Sequence, residues 1–309
     1  MKVLDYIFLT RPTLILPGWG FFILGYLHGL NLMGNLSPTI QIPKDARFWI
    51  AIISATLISA YVYVLNQIFD VESDRKNEKL FLLPRGYISL KSAWIFSAVL
   101  AILSFIFGIF VGWEYLILLF FGFVVGTFYS LPPFRFKGRP ILDMLSNAVG
   151  YAVLNLGAGF VSSGMHIWEI SKIFLPYFFS VCALYLNTTI PDIPGDREEK
   201  LITTGVFLGE RLSSTLASIM VLLTLAFSKD NPFMFWVSAL SLPFYTFASI
   251  MGGREFYAKL AYRVSGLVFT LLLIFKYPPF LFPSLLTLIS LKLYYRVRFG
   301  INYPSLLGR

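Results

Sequence analysis

The sequence predicts an all-α chain: a polytopic membrane helical bundle of nine transmembrane helices, or ten if the last apolar stretch also crosses. Two observations carry this. Of 309 residues, 57% are hydrophobic and only 13% are charged, where a soluble domain carries about a quarter charged residues. Apolar runs of about 20 residues, each long enough to span a bilayer as a helix, recur along the whole length, which leaves no room for a soluble domain of any size.

The elements follow in order. The opening "MKVLDYIFLTRPTLILPGWGFF" has no small-residue cleavage site after a short apolar core, so it reads as the start of the first span and not as a removed signal peptide. Spans are expected near 12–30, 47–69, 91–112, 114–131, 141–162, 169–190, 212–228, 232–251 and 260–276, with a tenth apolar stretch at 279–295. Alternating the loops between two sides groups the N-terminus, the loops around 70–91, 132–140, 192–211 and 252–263, and the basic tail. That side holds 20 of the 25 Lys and Arg residues; the other keeps Lys44, Arg47, Lys172, Lys229 and Lys276. The positive-inside rule makes the rich side cytoplasmic and favours ten crossings, a re-entrant or interfacial last helix being the alternative. Such loops, facing anionic headgroups, account for the net charge of +9 without nucleic acid. The single cysteine, Cys182, excludes an intrachain disulfide and a cysteine metal cluster, and two histidines, His28 and His166, are too few for a histidine metal site.

Against this apolar background, "NQIFDVESDRKN" (66–77) sets Asn66, Asp70 and Asp74 four residues apart at the end of the second span. Residues at this spacing share one helix face, so they form a column of oxygen ligands. A faint repeat relates "YVLNQIFDVESDR" (63–75) to "YLNTTIPDIPGDR" (185–197), matching Tyr63 with Tyr185, Asp70 with Asp192, Asp74 with Asp196 and Arg75 with Arg197. Four spans separate the copies, so both acidic pairs emerge on one face. The chain therefore reads as a single domain, 1–309, of two pseudo-repeated halves, about 1–140 and 141–309, a common membrane design with the site between the halves. Pro191, Pro194 and Gly195 are expected to break the sixth helix near its acids.

Charge at a membrane edge is costly unless paired or coordinated. Two carboxylate pairs without sulfur or imidazole suit a hard divalent cation such as Mg²⁺, which takes one or two carboxylates and completes its shell with water and phosphate oxygens. Arg75, Lys76, Lys79, Arg85, Arg135, Lys137, Arg139, Arg197 and Lys200 crowd the same loops. Most satisfy the positive-inside rule; a few are candidates to hold a diphosphate as it leaves. Tyr63, Tyr129 and Tyr185 are candidates to present aromatic faces to an allylic cation.

"NQIFDVESDRKN" and "DIPGDREEKLITTGVFLG" resemble the NxxxDxxxD and DxxxD motifs of the UbiA superfamily of intramembrane prenyltransferases. "YSLPPFRFKGRP" (129–140) resembles that family's Tyr- and Lys-bearing loop, and Arg11-Pro12 is also similar. The resemblance covers roughly residues 5 to 276. It implies a central cavity capped by cytoplasmic loops, with two Mg²⁺ ions bridging an isoprenyl diphosphate to Asn66, Asp70, Asp74, Asp192 and Asp196. It puts Arg75 and Arg197 at the basic position after each motif; Lys137, with Tyr129 beside it, is the best candidate to steady the diphosphate or the acceptor, and Lys79, Arg135 and Lys200 are further substrate-contact candidates. The chain departs from the pattern at Gln67, at Phe81 where an Arg is usual, and at "KLIT" (200–203) in place of Gly-Lys-Arg-Thr. The resemblance implies a lipophilic acceptor such as a quinone precursor, a carotenoid or a glyceryl lipid, and the loop sequences look most like the lycopene elongase branch. Two other readings stay open. One is a transporter or divalent-cation carrier using the paired aspartates, with Asp143 and Asn147 as its best support. The other is an inactive prenyl-lipid-binding relative, suggested by Phe81.

Overall fold

A computed structural model describes residues 2–76, 81–301 and 303. Among them there is helix and no strand. The helices are α1 (Lys2–Leu9), α2 (Pro12–Gly29), α3 (Ala46–Lys76), α4 (Leu90–Val111), α5 (Trp113–Ser130), α6 (Leu142–Ala148), α7 (Leu156–Ser162), α8 (Phe174–Thr189), α9 (Ile193–Glu198), α10 (Thr204–Ala226), α11 (Pro232–Ile250), α12 (Glu255–Lys276) and α13 (Leu281–Phe299). A wider, π-type stretch, Val149–Asn155, joins α6 to α7 into one continuous crossing.

Among the described residues, eight helical runs are long and apolar enough to cross a membrane, nine if the bent pair α1 and α2 counts as one span. The sixth expected span, 169–190, differs. Only Phe174–Thr189 is α-helical, about 24 Å at 1.5 Å per residue, shorter than a bilayer core. A 3₁₀ turn, Ile167–Lys172, precedes it, and another, Ile190–Asp192, follows where Pro191 removes a backbone donor. The seventh span starts earlier than its apolar run, at Thr204, and is interrupted at Gly209 (φ 72°), a left-handed geometry that glycine tolerates. The outward faces stay apolar: Ile95, Ile102, Ile109 and Phe110 of α4 are exposed, as a lipid-facing helix requires. These helices make the chain a multi-pass membrane protein.

Three devices set the shape around the centre. First, α1 and α2 meet at a 51° bend, with Arg11 left-handed (φ 55°) and Pro12 opening α2. Gln67 braces it by donating to the Leu9 carbonyl at 2.7 Å, so this departure from the family motif is turned away from the acidic column. Second, α13 returns to α1. Buried Asp5 accepts from Tyr294 Oη (2.6 Å) and from Arg298 Nε and Nη2 (3.1 and 3.0 Å), and Phe8 stacks on Tyr294. Third, α2 crosses α7 at glycines. A Cβ on Gly25 would strike the Leu156 carbonyl, and one on Gly159 would strike the Phe22 carbonyl.

That crossing gives a stability test. In a helix, Gly→Ala alone favours folding by roughly 0.5–1 kcal/mol, whereas overpacking a tight contact costs about 1–3 kcal/mol. Gly159→Ala is therefore expected to lower the unfolding temperature in detergent, while Gly34→Ala, with open space around it, leaves it unchanged. Equal transitions for the two variants would contradict the contact.

Candidate functional site

A cavity of about 680 Å³ opens between the helices, within the range of small-molecule sites. Asp74 and Ala55 of α3 both line it, a separation of roughly 28 Å along the helix. Its mouth is polar and its far end, at Ala55, Tyr115, Leu118, Leu119 and Ala158, is apolar. The π-type stretch presents Gly150, Tyr151, Leu154 and Asn155 to the same space; such stretches recur at functional sites.

The first acidic motif lies wholly on α3, which runs past its apolar segment to Lys76. Asn66, Asp70 and Asp74 all face the cavity. The Asn66 amide donates to Ser130 Oγ at 3.1 Å, fixing which way its oxygen points. After α5, the Pro132-Pro133 peptide is cis, Arg135 is left-handed and a 3₁₀ turn spans Phe136–Gly138. This doubles the chain back and sets the Lys137 ammonium against Asp70 Oδ1. Burial pushes the Lys137 pKa down, and the Asp70 carboxylate opposes that shift.

The second motif is not on one helix. Asp192 ends the Ile190–Asp192 turn and Asp196 lies in α9, the chain being redirected at Pro191 and Pro194. Both acids still line the cavity mouth, as does Glu199. Ser73 Oγ donates to Glu199 Oε1 at 2.6 Å, joining the two motifs directly. The Asp196 pKa is raised by burial and by the Asp192, Glu199 and Asp143 carboxylates, while the hydrogen bond from Thr203 Oγ1 (2.9 Å) lowers it.

Tyr63, Tyr129 and Tyr185 line the cavity too. Tyr63 is hydrogen-bonded to Tyr151 (2.9 Å) and donates to the Leu14 carbonyl (3.1 Å). The remaining expected cations are placed elsewhere. Arg75 is exposed and donates to Glu72 (3.0 Å) and the Pro84 carbonyl (3.2 Å). Arg135, Arg197 and Lys200 are exposed and do not line the cavity. Lys79 lies outside the described residues. Arg85 stacks on the Phe81 ring at 4.2 Å, and Phe81 packs on Phe299 of α13. Phe81 therefore anchors its loop to the last helix. Sequence reasoning did not select Tyr151, Asn155 or Glu199 as site residues. It noted Arg11, which also lines the cavity, only as part of a familiar dipeptide.

The mouth offers a donor set for a cation. Among the described residues, no three carboxylate, imidazole or thiolate groups are drawn together tightly enough to hold a metal ion. The chemistry nevertheless fits Mg²⁺. The mouth is walled by carboxylate and amide oxygens without sulfur or imidazole, the ligand type hard cations take, and the like charges that raise Asp196 are what a divalent ion offsets.

The family model described as the UbiA prenyltransferase family matches residues 32–264. The chain is 28% identical over 291 residues to a lycopene elongase/hydratase of Halobacterium salinarum, covering 86% of this chain and 96% of that protein. It is 28% identical over 197 residues to a probable chloroplastic homogentisate phytyltransferase 2 of Oryza sativa subsp. japonica, covering 58% of this chain and 51% of the plant protein. The chain thus spans about half the length of that plant relative. A UbiA homolog from Archaeoglobus fulgidus, solved bound to GPP and Mg²⁺, shares the fold with a TM-score of 0.63 at 22% identity, over 88% of this chain and 98% of that one.

Because the Asp196 pKa is raised, cation binding that needs its ionised form weakens as pH falls through that raised value. Thr203→Val removes the hydrogen bond that lowers it. The acid limb of Mn²⁺ binding, followed by electron paramagnetic resonance on folded protein, is expected to move to higher pH. No movement, or movement to lower pH, would contradict the assignment.

Proposed function

The chain belongs to the UbiA prenyltransferase family, and from that premise we propose that it is a Mg²⁺-dependent prenyltransferase moving an isoprenyl group from an isoprenyl diphosphate to a lipophilic acceptor inside the membrane. The observation that carries the reading is the convergence of both acidic motifs on the mouth of one cavity whose depth is apolar. A diphosphate and its cations match the mouth, and an isoprenyl chain matches the interior. The Archaeoglobus fulgidus UbiA homolog solved bound to GPP and Mg²⁺ supports the same pairing.

Asn66, Asp70 and Asp74 hold the cation from α3, and Asp192 and Asp196 hold it from the α8–α10 connection; two ions are proposed. Bound there, Mg²⁺ supplies Lewis-acid neutralisation of the diphosphate. Lys137, half-buried at the mouth beside Asp70, stabilises negative charge on the leaving group. Tyr129 and Tyr185 offer aromatic faces below the mouth to developing positive charge. The apolar interior keeps water from the allylic centre. The acid-rich end is proposed to face the cytoplasm, a reading that the charge distribution supports, and the halves, about 1–140 and 141–309, are proposed to be a pseudo-repeat with the site between them. Among acceptors, a carotenoid is favoured over a quinone precursor or glyceryl lipid, because the alignment to the lycopene elongase/hydratase runs over nearly that whole protein. A transporter would hold ionisable groups near mid-span; the four motif acids lie instead at helix ends.

Asp70→Ala and Asp192→Ala are each expected to abolish Mg²⁺-dependent release of diphosphate from geranylgeranyl diphosphate without altering the unfolding transition. Lys137→Ala removes a charge-assisted hydrogen bond worth roughly 1.5–3 kcal/mol, about 10- to 100-fold in rate when the contact forms mainly in the transition state. Lys229→Ala, between α10 and α11, leaves the rate unchanged. Full turnover by both aspartate variants, or in excess EDTA, would remove the metal-ligand assignment.

A further inference from the structure

Between α5 and the α6–α7 crossing the chain reads "LPPFRFKGRPIL" (131–142), with three cations and no acid. It leaves one crossing at Ser130 and enters the next at Leu142, so it lies at the level of the lipid headgroups. One cation, Lys137, turns inward against Asp70. The other two, Arg135 and Arg139, are exposed, do not line the cavity and belong to no ion pair among the described residues. The backbone keeps them together. Gly138 N donates to the Arg135 carbonyl at 3.0 Å and Arg139 N donates to the Phe136 carbonyl at 3.0 Å, which closes one tight turn with Lys137 in its middle. Arg139 Nη2 donates to the Pro133 carbonyl at 2.7 Å, and a guanidinium has further N–H groups to offer.

Apolar side chains flank these guanidinium groups. Phe134 is 40% exposed and stacks on Phe128 of α5, with ring centroids 4.1 Å apart, and Phe136 meets Phe128 edge-on. Ile141 is 50% exposed. Its φ of 71° is a geometry that β-branched residues rarely accept, and its amide donates to Thr204 Oγ1 at 2.7 Å. The neighbouring turn reaches the loop at Leu201, 3.4 Å from where a Cβ on Gly138 would stand. That turn is balanced in charge, Arg197 and Lys200 against Glu198 and Glu199. The surplus positive charge therefore belongs to Arg135 and Arg139, beside apolar groups continuous through Phe128 with a membrane crossing.

We propose that this loop docks the headgroup of an anionic phospholipid, and that the bound lipid holds the turn carrying Lys137 over the cavity mouth. Arg135 and Arg139 grip the phosphate, whose oxygens match the guanidinium fork. Phe134 and Ile141 enter the boundary of the acyl chains beside it. A cation near an anionic lipid surface favours it roughly fivefold, so two give about 30-fold. An acidic soluble partner would meet the cations but leave Phe134 and Ile141 to water. The docking itself is independent of the chain's chemistry; the hold on the mouth rests on the prenyltransferase reading.

Purified full-length protein in detergent is titrated with phosphatidylglycerol or phosphatidylcholine, and bound lipid is counted by native mass spectrometry. Wild type is expected to bind phosphatidylglycerol about tenfold or more tightly than phosphatidylcholine. Arg135→Gln/Arg139→Gln should lose most of that preference. Lys91→Gln/Arg254→Gln, which removes two exposed cations outside the loop, should keep it. If the first double variant fails to fold, Arg139→Gln alone decides, with a loss of about fivefold expected. No preference in wild type, or an equal loss in both double variants, would overturn the docking site. Displacement of the lipid by inorganic phosphate would overturn it too, making the loop a free-phosphate site. In vesicles with Mg²⁺ and geranylgeranyl diphosphate, phosphatidylglycerol is expected to speed diphosphate release by wild type about threefold or more over phosphatidylcholine alone, and this ratio should fall towards one in Arg135→Gln/Arg139→Gln. A ratio of one in wild type, or the same ratio in both proteins, contradicts the hold on the mouth. Absence of diphosphate release in every vesicle would overturn the prenyltransferase reading instead, and the lipid titration would still decide the docking site.

Discussion

Four carboxylates gathered at the edge of an apolar bundle repel one another and resist desolvation, and much of the local structure answers that cost. Lys137 is carried back across the mouth to lie against Asp70. Thr203 donates to Asp196 and Ser73 donates to Glu199. The Ser73 contact holds the end of α3 against the α8–α10 connection, and the Lys137 contact holds it against the loop after α5. Burial first, and then the neighbouring Asp192, Glu199 and Asp143 charges, keep the Asp196 pKa raised. A cation that offsets those charges therefore binds favourably without a tightly prebuilt cluster.

The scaffold keeps that mouth open. Helices normally close on one another with side chains interdigitated, yet α2 and α7 meet backbone to backbone at Gly25 and Gly159. Close contact there is combined with a bend at Arg11 and a widened π-type turn at 149–155, both of which line the cavity. The return of α13 onto α1 through Asp5, Tyr294 and Arg298 anchors the bent end. Phe81 and Arg85 fasten the loop after the first motif to the same helix. Phe81, where the family usually has a cation, is accounted for by this packing.

Much of this was legible in the sequence because it rests on local pattern. Apolar runs gave the crossings, and four-residue spacing put Asn66, Asp70 and Asp74 on one face. Pro191 and Pro194 announced a break beside Asp192 and Asp196. What was not legible depends on pairing through space or on backbone geometry without a residue signature. Apolar length alone did not reveal that the run at 169–190 is a short α8 flanked by 3₁₀ turns. A basic loop does not say which cations turn inward; Lys137 does, whereas Arg75, Arg135, Arg197 and Lys200 do not line the cavity. Asp143 stood out in the sequence as an acid within a span, but its hydrogen bonds from Thr204 join α6 to α10 and appear only in three dimensions.

The account stands on the two motifs acting as one cation site for one diphosphate. Its most direct test is the number of Mn²⁺ ions retained per chain in the presence of geranylgeranyl S-thiolodiphosphate, a donor analogue that resists ionisation. Two ions are expected for the wild-type protein, fewer when Asp192 and Asp196 are both replaced by alanine, and fewer again when Asp70 and Asp74 are replaced as well. The same Mn²⁺ content in all three proteins would contradict a shared site.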